Sequence, residues 1–342
     1  MSVINWGIVG LGNIANKFAL AFENVKNSKL FSIASTNNEK LEKFQKQFNI
    51  DKEYCYNQYE KVLLNNEVDI VYIALPHNLH FEWIMNCINE KKNILTEKPA
   101  TINLQEINKI NQNLDKTKIF FAEGFMYRFH PQTSELVKII RQNEIGELLR
   151  MESYFGVNFI EKKNIFGFKR LKINKKNRLF KKDLGGGSIL DLGCYPSSVS
   201  VLIASLKSKE YKNQIRLKDI KKSIGPTDVD LEAYAKIDFN NEFTSKIGSS
   251  FKKNLGKSTT IIGSKGKILI PDTWHCDESN LIINNKENNI KQKYKNIFSY
   301  EIESISNSLL NNELSPEYPA IKRDETEINM NILTKWINSD EK

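Results

Sequence analysis

Along the first third of the chain, short apolar runs alternate with sets of apolar residues at helical spacing. Val3–Val9 is an apolar run that ends in glycines, as a buried strand does. Ile14, Phe18, Ala21, Phe22 and Val25 then repeat at helical spacing and predict a helix over Ile14–Asn24. Leu30–Ser35 reads as a second strand, and Lys40–Phe48 as a second helix with Leu41, Phe44 and Phe48 on one face. The strongest strand signal is Asp69–Leu75 (DIVYIAL); Pro76 ends it, and a helix from about Leu79 to Glu90 follows. A strand at Asn93–Thr96, a helix around Leu104–Leu114 and a strand at Ile119–Ala122 complete the series. Strands separated by helices of this length predict a parallel sheet with crossover helices.

After Glu123 the pattern changes. An amphipathic helix near Gln132–Arg141 precedes a strand at Leu148–Phe155, and Gly185-Gly186-Gly187 opens a helix running to about Leu206. Beyond Gln214 the segments Asp230–Phe239, Phe243–Phe251, Ser258–Ile262 and Gly266–Ile270 are separated by short turns, which predicts antiparallel pairing. Helices at about Ser299–Leu310 and Glu325–Asn338 close the chain. The expected fold class is α/β: a doubly wound parallel sheet of the Rossmann type over residues 1–124, then an α+β domain with a mostly antiparallel open sheet over residues 125–342.

Composition narrows the classes of function. The 342 residues are comfortable for two domains, and no apolar run approaches the roughly 18 residues needed to span a bilayer. The opening MSVINWGIVGLG has neither a basic segment nor an apolar stretch followed by small residues, so no secretory signal is expected. Cys55, Cys87, Cys194 and Cys276 are scattered without metal or redox spacing, which predicts a reducing cytoplasm. His77, His80, His130 and His275 form no HxxxH pattern, and no metal is expected. The net charge of +9 raises the question of nucleic acid, but the lysines are spread along the whole chain. The densest basic stretch, Lys162–Lys182 with Phe166, Phe168 and Phe180, reads as a solvated loop with one or two substrate contacts. Neither nucleic acid nor membrane is an expected partner.

Four motifs carry chemistry. Gly10-Leu11-Gly12-Asn13-Ile14-Ala15 stands between a strand and a helix, where glycines let the backbone approach a pyrophosphate at the helix N-terminus. The end of the second strand, Ser35-Thr36-Asn37-Asn38, offers neither an acid for a ribose hydroxyl nor an arginine for a phosphate. Two hydroxyls, an amide and nearby Lys40 tilt the choice between NADP and NAD slightly toward NADP. Leu75-Pro76-His77-Asn78-Leu79-His80 follows a strand of the same sheet and should border the same ligand, with His80 read equally well as a plain helix-start residue.

The third motif, Thr96-Glu97-Lys98-Pro99, puts a lysine at a strand's carboxyl end. There it either projects into the crevice to hydrogen-bond a reacting oxygen or is a surface lysine in a turn. In the fourth, GGGSILDLGCYP, Asp191 and Tyr195 are four residues apart and share a helical face. A tyrosine close to an ammonium can exchange protons near neutral pH; its alternative is a packed ring with a satisfied hydroxyl.

Taken in order, GLGNIA, LPHNLH, TEKPA, EGFMYRFHP and NRLFKKDLGGGSILDLGCYP resemble the Gfo/Idh/MocA family of oxidoreductases, from residue 3 to about 270. The likeness is greatest to the branch with Tyr rather than His after the Asp, that of dihydrodiol dehydrogenases, NADP-dependent xylose dehydrogenases and glucose-fructose oxidoreductase. It implies a catalytic Lys98, Tyr195 as acid–base residue and Asp191 orienting the substrate. It also implies Glu97, Asn78 and His80 beside the nicotinamide, Arg128 and Arg178 near the cleft, and a homodimer or homotetramer. One departure is Ser35-Thr36, where NADP-using relatives often carry Ser-Arg. The expected activity is NAD(P)-dependent hydride transfer at a CH–OH carbon of a sugar or related polyol. The alternatives are a same-fold enzyme that uses transient NAD redox to eliminate or hydrolyse a glycoside, and a non-enzymatic cofactor-binding sensor.

Overall fold

The computed structural model describes residues 2–158, 160–163, 169–171 and 173–339. The chain divides into two compact units, one of residues 1–101, 105–130 and 293–326, the other of residues 102–104, 131–292 and 327–342.

The first unit is built on six parallel strands: β1 (Ile4–Val9), β2 (Ser28–Ala34), β3 (Cys55–Tyr56), β4 (Ile70–Ile73), β5 (Asn93–Glu97) and β6 (Phe121–Gly124). Their order across the sheet is β3-β2-β1-β4-β5-β6. The direction of winding therefore reverses between β1 and β4, and a ligand binds beyond the carboxyl ends at such a reversal. The crossovers are α1 (Asn13–Ala19), α2 (Asn38–Phe48), α3 (Glu60–Leu64), α4 (His77–Asn89) and α5 (Leu104–Leu114).

Aromatic packing fills the interior of this unit. Trp6 is fully buried and donates its indole N–H to Ser306 Oγ at 3.0 Å, while Phe18 stacks on Tyr72 at 3.9 Å. The helix Phe298–Leu310 packs against the 3-10 turns Leu20–Asn24 and Met126–Phe129. The helix expected over Ile14–Asn24 is thus α1 followed by the first of these turns, which lets Phe22 set its ring edge against Trp6. The last strand lies two residues beyond the expected Ile119–Ala122, and this brings Glu123 into the sheet opposite Thr96.

The second unit contains α6 (Pro131–Arg141), β7 (Leu148–Gly156), a two-stranded ribbon of β8 (Glu161–Lys163) and β9 (Lys169–Leu171), and α7 (Cys194–Lys207). Seven further strands follow: β10 (Ile215–Ile224), β11 (Asp230–Phe239), β12 (Phe243–Ser250), β13 (Thr259–Gly263), β14 (Lys267–Ile270), β15 (Asn280–Ile283) and β16 (Lys286–Asn289). They join β7 in one sheet of order β10-β11-β12-β7-β13-β14-β15-β16. Every neighbouring pair is antiparallel except β12 with β7. The α/β class with a parallel and a mostly antiparallel sheet is as the sequence predicts.

Helix α7 packs on β7 and β12 and is apolar nearly all round because it is buried. The stretch Lys182–Lys207 is long and apolar enough to cross a membrane, and 83% of its apolar window is buried inside the protein. Phe166 and Phe168 lie outside the described residues. Phe180 belongs to no solvated loop: it is buried, with its ring edge on Phe251 at 6.0 Å.

Candidate active site

In the first unit, the turn after β1 has the geometry its glycines predict. Gly10 has φ +89°, and a Cβ there would stand 2.6 Å from Ala74 O, so a side chain would push the β1 and β4 turns apart. A Cβ on Gly12 would meet nothing within 4 Å. Gly12 is also the N-cap of α1, with no side chain capping it and no acid in the first turn. An uncapped helix start facing open space, flanked by exposed Asn13 and half-buried Ile14, suits the pyrophosphate of a dinucleotide.

At the end of β2, Ser35 is buried and its Oγ accepts from Asn37 N at 3.2 Å. The side chain of Asn37 accepts from Lys40 N at 2.9 Å and caps α2. Thr36, Asn38 and Lys40 are exposed beside them. At the end of β4, Leu75 is buried, Pro76 stands at the N-cap position of α4 without capping it, and Asn78 Oδ1 is buried without a hydrogen-bond partner. An unmet acceptor in the first turn of a helix at the sheet reversal fits a ligand amide, such as the carboxamide of a nicotinamide.

His80 is wholly buried. Its Nδ1 lies 2.8 Å from Pro99 O and its Nε2 2.9 Å from Leu75 O, so the ring ties the β4 turn to the β5 turn. Of the two readings open for this residue, the structural one describes its contacts. At the end of β5, Glu97 is buried and accepts from Tyr72 Oη at 2.5 Å; half-buried Lys98 follows, joined to Pro99 by a cis peptide.

Arg128 departs from expectation. It is fully buried, donating from Nε to Pro319 O at 2.6 Å and from Nη2 to Glu325 Oε2 at 2.8 Å. The expected cleft arginine is therefore a clamp on the 318–325 segment. The Met126–Phe129 turn folds inward, and a basic residue in an aromatic motif does not reveal that direction in advance.

In the second unit, the glycines prepare the Asp191–Tyr195 segment. A Cβ on Gly186 would lie within 2.9 Å of the carbonyl oxygens of Arg178, Leu179 and Lys181, so only glycine lets that turn pack here. Gly187 has φ +109°, and its Cβ would sit 2.3 Å from Asp230 Oδ1. Asp230 is buried and accepts from Ser188 Oγ and Ile189 N, both at 2.7 Å, which anchors the start of the helix. Burial raises its carboxyl above the usual range, against the pull of these hydrogen bonds.

The first helical turn, Ile189–Gly193, is a π-turn, and α7 continues from Cys194. π-turns occur often at functional sites. Asp191 receives a hydrogen bond from Arg178 Nη2 at 3.1 Å, so two of the expected substrate residues form a pair. Tyr195 is 5% exposed, its ring held edge-on by Phe155 at 5.3 Å and flanked by Trp274 at 5.5 Å. Phe155 and Trp274 were not legible as site residues, being one strand residue and one loop residue far apart in sequence. Among the described residues no group of three or more His, Cys, Asp or Glu is arranged to hold a metal ion.

The model of the oxidoreductase family with an NAD-binding Rossmann fold matches residues 4–125, and that of the GFO/IDH/MocA C-terminal domain matches residues 133–269. The chain belongs to the Gfo/Idh/MocA family. Among curated relatives, trans-1,2-dihydrobenzene-1,2-diol dehydrogenase of Xenopus tropicalis is 28% identical over 82% of this chain and 79% of its own. D-xylose 1-dehydrogenase (NADP(+)) 2 of Haloferax volcanii is 25% identical over 72% of this chain and 69% of its own. The fold is shared with an aldose-aldose oxidoreductase of Caulobacter crescentus solved with glycerol. That structure has a TM-score of 0.83 at 19% identity and covers 98% of this chain and 96% of its own. As a family member the chain is an NAD(P)-binding oxidoreductase.

Proposed function

We propose that this protein catalyses reversible hydride transfer between NADP and the CH–OH carbon of a sugar or related polyol, with Lys98, Asp191 and Tyr195 as its catalytic residues. The observation that carries the reading is that the chain retains a complete set of chemical groups. A lysine follows β5 in the dinucleotide unit, and a tyrosine with an Arg178-paired aspartate stands at the start of the main helix of the other. A protein that only binds its cofactor has no use for that set. The relatives named for dihydrodiol and D-xylose oxidation support a vicinal-diol or sugar substrate. The absence of an acid from Ser35-Thr36-Asn37-Asn38, with Thr36, Asn38 and Lys40 exposed, supports NADP.

When bound, the nicotinamide accepts or supplies the hydride. Tyr195 Oη takes the proton of the substrate hydroxyl as the carbon is oxidised and returns it in the reverse direction. Lys98 donates to the same oxygen and stabilises its developing negative charge. Asp191, steadied by Arg178, accepts from a neighbouring hydroxyl and sets the angle of the reacting carbon. Phe155 and Trp274 hold the Tyr195 ring and exclude water from its face.

Self-association through the open face of the eight-stranded sheet belongs to the same reading. There Tyr154 and Tyr234 meet over Gly248, where a Cβ would collide with both rings. Cys55, Cys87, Cys194 and Cys276 form no disulfide among the described residues, which supports a reducing compartment such as the cytoplasm.

The test is a fluorescence titration with NADPH and with NADH, joined to turnover of D-xylose, D-glucose and D-fructose by the wild type and Lys98→Met. The expected result is tighter NADPH binding and a turnover loss of about 100-fold or more in the variant, at unchanged cofactor affinity. Near-normal turnover in Lys98→Met would overturn the assignment. Tight binding without net turnover would favour an enzyme that recycles its nicotinamide or a sensor.

A further inference from the structure

The peptide unit joining Pro99 to Ala100 is gripped at both ends. Its carbonyl oxygen faces His80 Nδ1 at 2.8 Å, and its N–H donates to Glu123 Oε1 at 2.9 Å. The second carboxylate oxygen of Glu123 accepts from Thr326 Oγ1 at 2.8 Å. Glu123 comes from β6 in register with Thr96 of β5, so its carboxylate stands beside the turn that carries Lys98. Only 2% of the residue is exposed. A carboxylate with no route to solvent, spent on one backbone N–H and one hydroxyl, is costly unless its charge has a use.

We propose that Glu123 is the positioning residue of Lys98: its carboxylate fixes the peptide that follows Lys98-Pro99 and supplies the counter-charge that steadies the ammonium. This rests on the reading of Lys98 above. With the next peptide plane held from both sides, the lysine stem leaves a fixed frame, and a reacting group needs placement within about 0.5 Å.

The charge on this clamp changes near neutrality. Burial pushes the Glu123 carboxyl up to about 7, against the hydrogen bonds from Ala100 N–H and Thr326 and the charges of Arg128 and Lys98. Below that pH Glu123 takes up a proton, grips the Ala100 N–H less strongly and ceases to attract the ammonium. The other acids nearby are Glu97, bonded to Tyr72, Glu325, paired with Arg128, and Glu301. Glu301 is held well above the usual range by burial and by Glu97. His80 holds the other end of the same peptide, so the acid limb is assigned to Glu123 by its loss in Glu123→Gln.

The experiment compares wild type, Glu123→Gln, Thr326→Val and Lys98→Met. Glutamine keeps an oxygen for the Ala100 N–H and removes the charge, so the fold is retained. For the aldose that wild type turns over fastest, Glu123→Gln should lower kcat about 10- to 100-fold with KM and NADPH affinity nearly unchanged, and abolish the acid limb. Thr326→Val removes a bond that favours the carboxylate, so its acid limb should move to higher pH; a merely structural role would lower the melting temperature without moving it.

A reading without substrate comes from labelling Lys98 with trinitrobenzenesulfonate across pH, quantified by peptide mass spectrometry. The lysine should label at lower pH in Glu123→Gln than in wild type. Superimposable labelling curves, or an acid limb that persists in Glu123→Gln, would overturn the inference. If Lys98→Met is inactive while Glu123→Gln matches wild type, only the role of Glu123 falls. If Lys98→Met is fully active, the reading of Lys98 falls first and Glu123 with it.

Discussion

Replacing Arg128 with methionine removes a guanidinium that has no contact with solvent and leaves Glu325, whose side chain is 8% exposed, without its partner. Breaking a buried ion pair from one side costs about 3–5 kcal/mol, because the remaining charge stays desolvated. Pro319 O also loses the Nε donor now at 2.6 Å. At roughly 2–4 °C per kcal/mol for units of this size, the melting temperature should fall by about 6–20 °C. The double variant Arg128→Met/Glu325→Gln leaves no buried charge behind and should recover a large part of the loss, giving a coupling well above the ~0.5 kcal/mol expected of independent sites. The assay is thermal unfolding followed by circular dichroism, with NADPH titration at low temperature where each variant is folded. The clamp predicts a large loss of stability and near-normal NADPH affinity. A melting temperature within about 2 °C of wild type, together with affinity weakened about tenfold, would refute it and return Arg128 to the cofactor cleft.

Three further outcomes are expected. Asp230→Ala leaves Ile189 N without its acceptor and Ser188 Oγ with Ser249 Oγ alone, and should cost about 1–3 kcal/mol in urea unfolding while NADPH still binds; wild-type stability would show that Asp230 does not anchor the helix. Arg178→Gln removes the ion pair to Asp191 and should raise the aldose KM with NADPH affinity unchanged; because the Arg178 side chain is 40% exposed, stability should change by less than about 1 kcal/mol. Asp272 is held below the usual carboxylate range: burial raises it, but hydrogen bonds from His275 and Lys257 outweigh burial. A depressed folded value means that its stabilisation is present in full above about pH 4 and is lost as pH falls through the folded value. The melting-temperature gap between wild type and Asp272→Asn should accordingly be largest at neutral pH and close on acidification, and a gap independent of pH would contradict this.

Much of the fold is legible because local signals and burial agree. The DIVYIAL run became β4 with every residue of Ile70–Ile73 buried, and Asp230–Phe239 is β11 to the residue. Short elements escape: β3 has two residues and α3 five, too few for a period to show. Strands β10, β15 and β16 carry exposed or half-buried polar residues, so their pairing is set by neighbouring strands rather than by their own pattern. In the site, the glycine turn follows from residue type and order, whereas the pairing of Asp191 with Arg178 is seen only in the structure. The inward turn of Arg128, the clasp made by His80 and the anchor at Asp230 do not follow from them either. Each depends on which carbonyl or carboxylate tertiary packing brings near, and a single sequence does not encode that as spacing. Glu123 illustrates the point: it reads as the end of a strand until the register with Thr96 sets it beside Ala100.

The most direct test of the central claim is transfer of label from substrate to cofactor. Wild type and Lys98→Met would be incubated with NADP+ and perdeuterated D-xylose, D-glucose or D-fructose, and the nicotinamide analysed by mass spectrometry. The account predicts reduced cofactor carrying one deuterium with wild type and almost none with Lys98→Met. Wild type that binds NADP+ tightly yet yields no labelled cofactor from any sugar, or a Lys98→Met variant that labels it as fast as wild type, would contradict it.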